Sequence, residues 1–368
     1  MDRKKIKVGI THGDINGIGY EVILKTLVDE RITEFCTPIV YGSQKIAMFH
    51  QKGMNLPSIN FKIINKPEDA SDGKINLINC VEENLKIEFA HATPESGLAA
   101  FKALEVATSD LKRRAINTLL TAPINKHCIR SKDFFFPGHT EYLENIFNEG
   151  GIHKSLMILT SDSLRIALVT GHIPLSEVKK HLTQEYVVEK LTIFNSSLLQ
   201  DFGVIKPRIA VLALNPHAGD NGVLGTEEED ILIPAISQAE QKGVVAFGPY
   251  PADGFFGSRS MQKFDGILAM YHDQGLIPFK MYAMENGVNF TAGLPIVRTS
   301  PAHGTAYDIA GQNLASEESF RNALYVSLDI YRKRKFFHEI TANPLRKQYV
   351  DKSSDNVKLD LTIEEPNE

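Results

Sequence analysis

Short runs of Ile, Val, Leu and Ala alternate along the chain with longer amphipathic segments, and that alternation predicts an α/β fold. Size and composition agree: 368 residues, 43% hydrophobic and 23% charged, describe a globular chain long enough for two domains. No internal repeat or low-complexity tract suggests another architecture.

Taken in order, the strand candidates are residues 6–11, 38–41, 118–121, 155–160, 165–170, 208–214, 244–248 and 265–271. Each is a buried-strand pattern closed by turn-forming residues. Helix candidates fall at 19–33, 96–114, 176–200, 226–242 and 316–335; the fourth opens on Thr226-Glu-Glu-Glu229, a capping box ahead of an apolar face. The largely polar stretch 65–84 reads as a surface excursion, and the segment after about 345 as a polar, partly disordered tail.

Charge narrows the function. The net charge of −5 leaves no basic footprint for nucleic acid, and residues 351–368 alone carry six acids against two lysines. Cys36, Cys80 and Cys128 are too few and too scattered for a disulfide framework, which fits a reducing compartment. The N-terminus enters a strand without an apolar leader, and no apolar run approaches 18 residues, so a soluble, cytoplasmic protein with no membrane partner is expected.

Three of the twelve histidines, His172, His217 and His272, stand just beyond apolar runs, at gaps of 45 and 55 residues. A histidine alone is more often a satisfied surface or core group than a ligand. The shared strand-end placement is what favours convergence on one divalent ion, since parallel sheets bind ligands beyond their carboxyl ends. Such spacing excludes zinc fingers and His-Glu-x-x-His helices.

Other polar groups collect nearby. The turn 11–19 carries glycines without the G-x-G-x-x-G spacing, and no Walker A sequence occurs, so spacing alone favours a tight turn over an anion cradle. The loop 215–225 is dense in Gly, Asn and Asp. Asp253 and Asp273 follow strand candidates, and Lys280, Asn289 and Arg298 recur at intervals of nine, a clamp for phosphate or carboxylate or simply solvated surface. His139 and Thr140 open a helix that either receives an anion or is capped by Thr140.

These residues occur within stretches that resemble the 4-hydroxythreonine-4-phosphate dehydrogenase family: Gly13-Asp-Ile-Asn-Gly-Ile-Gly19, Thr121-Ala-Pro-Ile-Asn-Lys126, Pro137-Gly-His-Thr-Glu141, Gly171-His-Ile-Pro-Leu175, Leu214-Asn-Pro-His-Ala-Gly219, Pro251-Ala-Asp253, Tyr271-His-Asp-Gln-Gly275 and Gly293-Leu-Pro-Ile-Val-Arg298. The resemblance implies a two-domain α/β/α fold like that of isocitrate and isopropylmalate dehydrogenases, with the active-site cleft between domains 1–125 plus 300–345 and 126–299, followed by a polar tail at 346–368. It implies a homodimer in which His172, His217 and His272 bind a divalent metal (Zn, Co or Mg), with His172 reaching a site shared between subunits. His139, Thr140, Lys280, Asn289 and Arg298 would contact substrate. His303-Gly-Thr-Ala-Tyr-Asp-Ile-Ala-Gly311 is similar to a dinucleotide loop, which assigns NAD to His303, Gly304, Thr305, Ala306 and Asp308. Departures exist: Ile15-Asn16 stands where the family usually has Pro-Ala, and Gly171 where a threonine commonly precedes the histidine.

The implied reaction is NAD-dependent oxidation of 4-phosphohydroxy-L-threonine to 2-amino-3-oxo-4-phosphohydroxybutanoate, which decarboxylates to 3-amino-2-oxopropyl phosphate in pyridoxal 5'-phosphate biosynthesis. Asp253 or Asp273 would relay the proton or orient a metal-bound histidine. The alternatives are a sister dehydrogenase for 4-phospho-D-erythronate or D-threonate 4-phosphate, a three-histidine zinc hydrolase, and a non-catalytic metabolite sensor.

Overall fold

The computed structural model describes residues 5–344 apart from 152 and 259; the expected polar tail lies outside the described residues. Twelve strands form one sheet: β1 (Ile6–Thr11), β2 (Cys36–Gly42), β3 (Phe61–Ile64), β4 (Ile75–Asn79), β5 (Thr118–Thr121), β6 (Leu156–Thr160), β7 (Arg165–Leu168), β8 (Arg208–Leu212), β9 (Val245–Tyr250), β10 (Gly266–Ala269), β11 (Val288–Ala292) and β12 (Arg298–Pro301). Their order across the sheet is β3-β4-β2-β1-β5-β12-β11-β6-β7-β10-β8-β9.

The helices are α1 (Gly19–Leu27), α2 (Ile32–Phe35), α3 (Gln44–Gly53), α4 (Pro94–Lys112), α5 (His139–Phe147), α6 (Leu175–His181), α7 (Gln184–Gln200), α8 (Ile233–Gln241), α9 (Ala252–Gly257), α10 (His272–Ala283) and α11 (Glu318–Thr341). They cover both faces of the sheet, and residues along a strand alternate between the two cores. In β8, Ile209 and Val211 pack against α7 and α8, while Ala210 and Leu212 pack against Phe255 of α9 and Phe279 of α10. In β2, Val40 joins the core beneath α1, α3 and α11, and Ile39 and Tyr41 the core beneath α4 and α5. Folding against both faces explains the unbroken apolar runs of the sequence.

Direction changes in the middle of the sheet. Strands β3, β4, β2, β1, β5 and β12 are mutually parallel, as are β7, β10, β8 and β9, but β12–β11, β11–β6 and β6–β7 are antiparallel. Three reversals mean that the two parallel sets run in opposite senses. The carboxyl ends of β1 and β5 and those of β7, β8 and β10 therefore point to opposite edges. Polar groups accumulating along a single sheet edge, the expectation from strand-end placement, are replaced by a cleft over the antiparallel seam.

Several predicted elements hold with adjusted ends: residues 19–33 divide into α1 and α2, and 176–200 into α6 and α7. The surface excursion expected at 65–84 is corrected. It contains β4, which sits between β3 and β2. Asn76 disguises this strand, yet it is fully buried because its amide donates to the carbonyls of Pro38 (3.3 Å), Ser71 (3.1 Å) and Lys74 (3.0 Å) and accepts from Ser71 N (3.0 Å). A buried polar group is tolerated when its hydrogen bonds are complete. The seam strands β11 and β12 also escaped the sequence reading, for the polar residues Asn289 and Arg298 interrupt their apolar pattern.

The first turn is tied down by close backbone approach. Gly13 has φ +68°, and a Cβ there would lie 2.2 Å from the Pro123 carbonyl oxygen. Behind it, the fully buried His12 ring stacks on Tyr20 at 5.1 Å, and Tyr20 on His50 at 5.1 Å. Burial lowers the pKa of His12 to about 4 and that of His50 also to about 4. Since unfolded histidine takes up a proton near pH 6.5, the unfolded state gains protons first as pH falls, and stability present above 6.5 is lost between 6.5 and 4 at about 1.4 kcal/mol per pH unit for each ring. Urea unfolding should accordingly show a lower midpoint at pH 5 than at pH 7, and His12→Phe should flatten that slope; equal slopes in both proteins would refute the assignment.

Candidate active site

The cleft over the seam encloses about 290 Å³ and is walled by residues 121–126 after β5, the start of α5, His172 after β7, the first turns of α10, and residues 300–304 after β12. That volume suits a small charged metabolite. Of the expected site residues, His139, Thr140, Lys280, Asn289, Arg298, His172, His272, His303 and Gly304 all line it. His217, Asp253, Asp273, Thr305, Ala306 and Asp308 do not.

Arg298 lies at the floor, 3% exposed. Its Nε and Nη2 donate to Thr121 Oγ1 at 3.1 and 2.6 Å, and Nη1 to Thr291 Oγ1 at 3.2 Å. Among the described residues no carboxylate forms an ion pair with it, so two hydroxyls orient a buried cation without neutralising it. Burial lowers its pKa to about 10, with Glu141 opposing, and the group stays charged at neutral pH. An unneutralised guanidinium at the bottom of a polar cleft is a receptor for phosphate or carboxylate.

The start of α5 faces the same space. Its N-cap is Gly138, in extended geometry and with no capping side chain, while Thr140 lies inside the helix and does not cap it. The first amides of α5 are thus left to an entering anion. His139 is driven well below its ordinary pKa by burial, then by Arg298 and Lys126, and stands neutral beside these cations. Two further atoms want partners: Asn289 Oδ1 and His303 Nε2 are buried without a hydrogen bond. Each such atom costs stability unless a ligand satisfies it.

On the opposite wall the rings of His172 and His272 approach to 5.3 Å between centroids. Burial, then Lys126 and His272, lower the His172 pKa to about 4, which leaves the neutral, ligating form. The Nδ1 of His272 contacts Asp273 Oδ1 at 2.7 Å, the carboxylate support that orients a metal-binding imidazole and frees Nε2. Two neutral imidazoles facing each other are donors of the kind a divalent ion takes. The third does not join them within one chain: among the described residues no group of three His, Cys, Asp or Glu side chains can hold a metal.

His217 is presented elsewhere, on an exposed turn after β8. There His217, Ala218 and Asp220 have φ of +53°, +54° and +46°. Left-handed backbone at non-glycine residues is strained, and the surroundings impose it. Buried Glu228 accepts the amides of Leu214 and Asn215, both at 2.8 Å, and Asn215 Nδ2 donates to Glu227 (2.7 Å) and Glu228 (3.0 Å). Asp253, exposed on the first turn of α9, also lies apart from the cleft. Sequence reasoning missed Lys126, Thr121, Thr291 and Glu228; only the Thr121-to-Lys126 stretch carried a signal.

Fold and cleft together define an α/β protein whose central cleft gathers cationic and polar groups suited to a small anion. Residues 34–327 match the model of the pyridoxal phosphate biosynthetic protein PdxA, and the chain belongs to that family. It is 55% identical, over 99% of its length and all of the relative, to 4-hydroxythreonine-4-phosphate dehydrogenase of Bacteroides thetaiotaomicron. A provisionally named D-threonate 4-phosphate dehydrogenase of Oceanobacillus iheyensis is 37% identical over 90% of this chain and 99% of its own. The solved 4-hydroxythreonine-4-phosphate dehydrogenase of Klebsiella pneumoniae superposes with a TM-score of 0.78 at 32% identity, covering 90% of this chain and 99% of that one. The expected α/β fold is that of these enzymes.

Replacing Arg298 by Lys removes the planar fork that spans Thr121 and Thr291 while keeping the charge. A loss of about 100-fold in kcat/KM is expected, from the roughly 2–5 kcal/mol carried by a buried charge contact, with the unfolding midpoint little changed. Retention of activity in Arg298→Lys would show that charge alone suffices.

Proposed function

We propose that the protein oxidises 4-phosphohydroxy-L-threonine with NAD to 2-amino-3-oxo-4-phosphohydroxybutanoate, which loses carbon dioxide to give 3-amino-2-oxopropyl phosphate. The observation that carries the reading is the gathering of Arg298, Lys280, His139, Thr140 and Asn289 around one cleft with His172 and His272 on its other wall. A substrate with a phosphate at one end and a carboxylate at the other matches cations placed at separate points.

Arg298 and the open start of α5 bind one anionic end, Lys280 the other, and Asn289 Oδ1 accepts from the amino or hydroxyl group between them. Loop residues His303, Gly304, Thr305, Ala306 and Asp308 would hold NAD: His303 Nε2 waits unpartnered at the cleft, and Ala306 turns the backbone through φ +43°. His172 and His272 would hold the divalent ion with His217 supplied by a second copy of the chain. When bound, NAD provides the hydride acceptor and the ion the Lewis acidity that eases loss of the hydroxyl proton. Asp273 orients His272 in this arrangement, and Asp253, on the exposed face, would act only if the second copy brings it to the cleft.

A homodimer is supported by α10, whose cleft residues His272 and Lys280 adjoin exposed Ile277 (60%), Met281 (82%), Tyr282 (58%) and Met284 (56%). Such a patch beside a half-built site calls for a covering surface. The rigid, exposed His217 turn, with Val223 76% exposed, is a second part of that surface. In this reading His217, rather than His172, is the histidine that crosses between subunits. No helix among the described residues is long and apolar enough to cross a membrane. Cys36, Cys80 and Cys128 are free thiols, which supports a reducing, cytoplasmic setting.

D-threonate 4-phosphate is the second reading, supported by the Oceanobacillus relative and by a cleft chemistry that both substrates satisfy. Turnover of the two compounds with NAD, followed as NADH absorbance, separates them; the threonine ester should have the higher kcat/KM. Chelated protein should lose turnover and regain it with zinc, cobalt or magnesium. Full activity after chelation would refute the metal's role. Met281→Asp should halve the mass seen by light scattering and abolish activity, because each cleft would lose its His217; an active monomer would overturn the shared site.

A further inference from the structure

Between β4 and α4 the chain runs without regular structure from 80 to 93, and its second half crosses over the first βα turn. Asn16, fully buried in that turn, holds it there. Its Nδ2 donates to the His91 carbonyl at 2.9 Å and to Thr93 Oγ1 at 3.2 Å, its Oδ1 accepts Glu88 N at 2.8 Å, and its own carbonyl accepts Ala90 N at 3.1 Å. Four bonds from one residue fasten the segment at both ends of a short span.

Between those bonds sits Phe89. Its ring packs edge-on against His50 (5.1 Å) and alongside Phe49 (6.0 Å) of α3. The same ring lies on the end of the 303–311 loop: a Cβ on Gly311, where φ is +77°, would come within 2.8 Å of Phe89 ring carbons. A side chain at 311 would be both strained and in collision, so loop and ring are fitted to each other. The other end of the loop is anchored to the same turn, with Ile18 N donating to the Thr305 carbonyl (3.1 Å) and the Tyr307 hydroxyl to Asp14 Oδ2 (2.6 Å). Asp14 Oδ1 in turn accepts Asn16 N at 2.9 Å.

We infer that residues 85–93 are a strap that positions the 303–311 loop for its ligand, with Asn16 as the fastening residue and Phe89 as the residue that presses on the loop. The inference rests on the reading of that loop as the dinucleotide site and makes both side chains positioning residues for NAD, with no contact to the hydroxy-acid phosphate. Holding the loop in one conformation removes an ordering cost from binding, and that cost returns when the strap is loosened.

The test combines steady-state kinetics with hydrogen exchange on the full-length protein. Phe89→Ala and Asn16→Ala should raise the KM for NAD by about 10-fold, leave the KM for the phosphorylated substrate within about twofold, and speed amide exchange across 303–311. Phe89→Leu, which keeps an apolar body over Gly311, should recover most of both effects. Unchanged exchange and unchanged NAD KM in Phe89→Ala would overturn the strap. Faster exchange with an unchanged NAD KM would overturn the loop's assignment to the dinucleotide while leaving the mechanical link standing, and equal rises in both KM values would show general damage and refute a positioning role.

Discussion

One buried charge organises the centre of this molecule. Arg298 enters the seam of the sheet on β12 and spends its hydrogen bonds on Thr121 and Thr291, from strands on either side of it. Removing a guanidinium from water costs several kcal/mol unless an anion compensates, and here its hydrogen bonds go to two hydroxyls while the Glu141 carboxylate acts only through space. Arg298 is thus left able to bind an anion. The surrounding groups respond to it: His139 remains neutral beside two cations, and the start of α5 is left without a capping side chain.

The antiparallel seam makes this possible. A purely parallel sheet would place its functional loops along one edge. Reversal at β12–β11–β6–β7 instead brings a β5 loop and the His172 loop, from oppositely directed halves, over the same central strands. The cleft is therefore walled by both halves of the molecule, with its polar floor supplied by β11 and β12.

Much of this was legible in the sequence, and the failures share a cause. Apolar runs located eight strands, and in all but the half-exposed edge strand β9 burial on both faces leaves little polar alternation to confuse them. Of the four that were missed, β4 and β12 carry buried polar or charged residues with partners distant in sequence: Asn76 is satisfied partly by Pro38, and Arg298 by Thr121, 177 residues away. Local periodicity holds no trace of such pairing. Nine of the residues that the resemblance named line one cleft, whereas spacing alone could not reveal that His172 and His272 meet while His217 is held apart on a strained turn.

That strained turn completes the physical account. Four left-handed, non-glycine residues, His217, Ala218, Asp220 and Asn221, would relax if the loop were free, and buried Glu228 opposes this by holding the two consecutive amides that lead into the turn. Rigidity at an exposed position has little value for a monomer's own core. It does have value if the imidazole must arrive at a fixed place on another surface, because a preformed ligand avoids the ordering cost of binding. The exposed apolar side of α10 lies next to His172 and His272. Under the proposed reading, association that covers Ile277, Met281 and Met284 while delivering His217 would bury the patch and complete the ligand set in one event, so assembly of the oligomer and assembly of the site would be a single equilibrium.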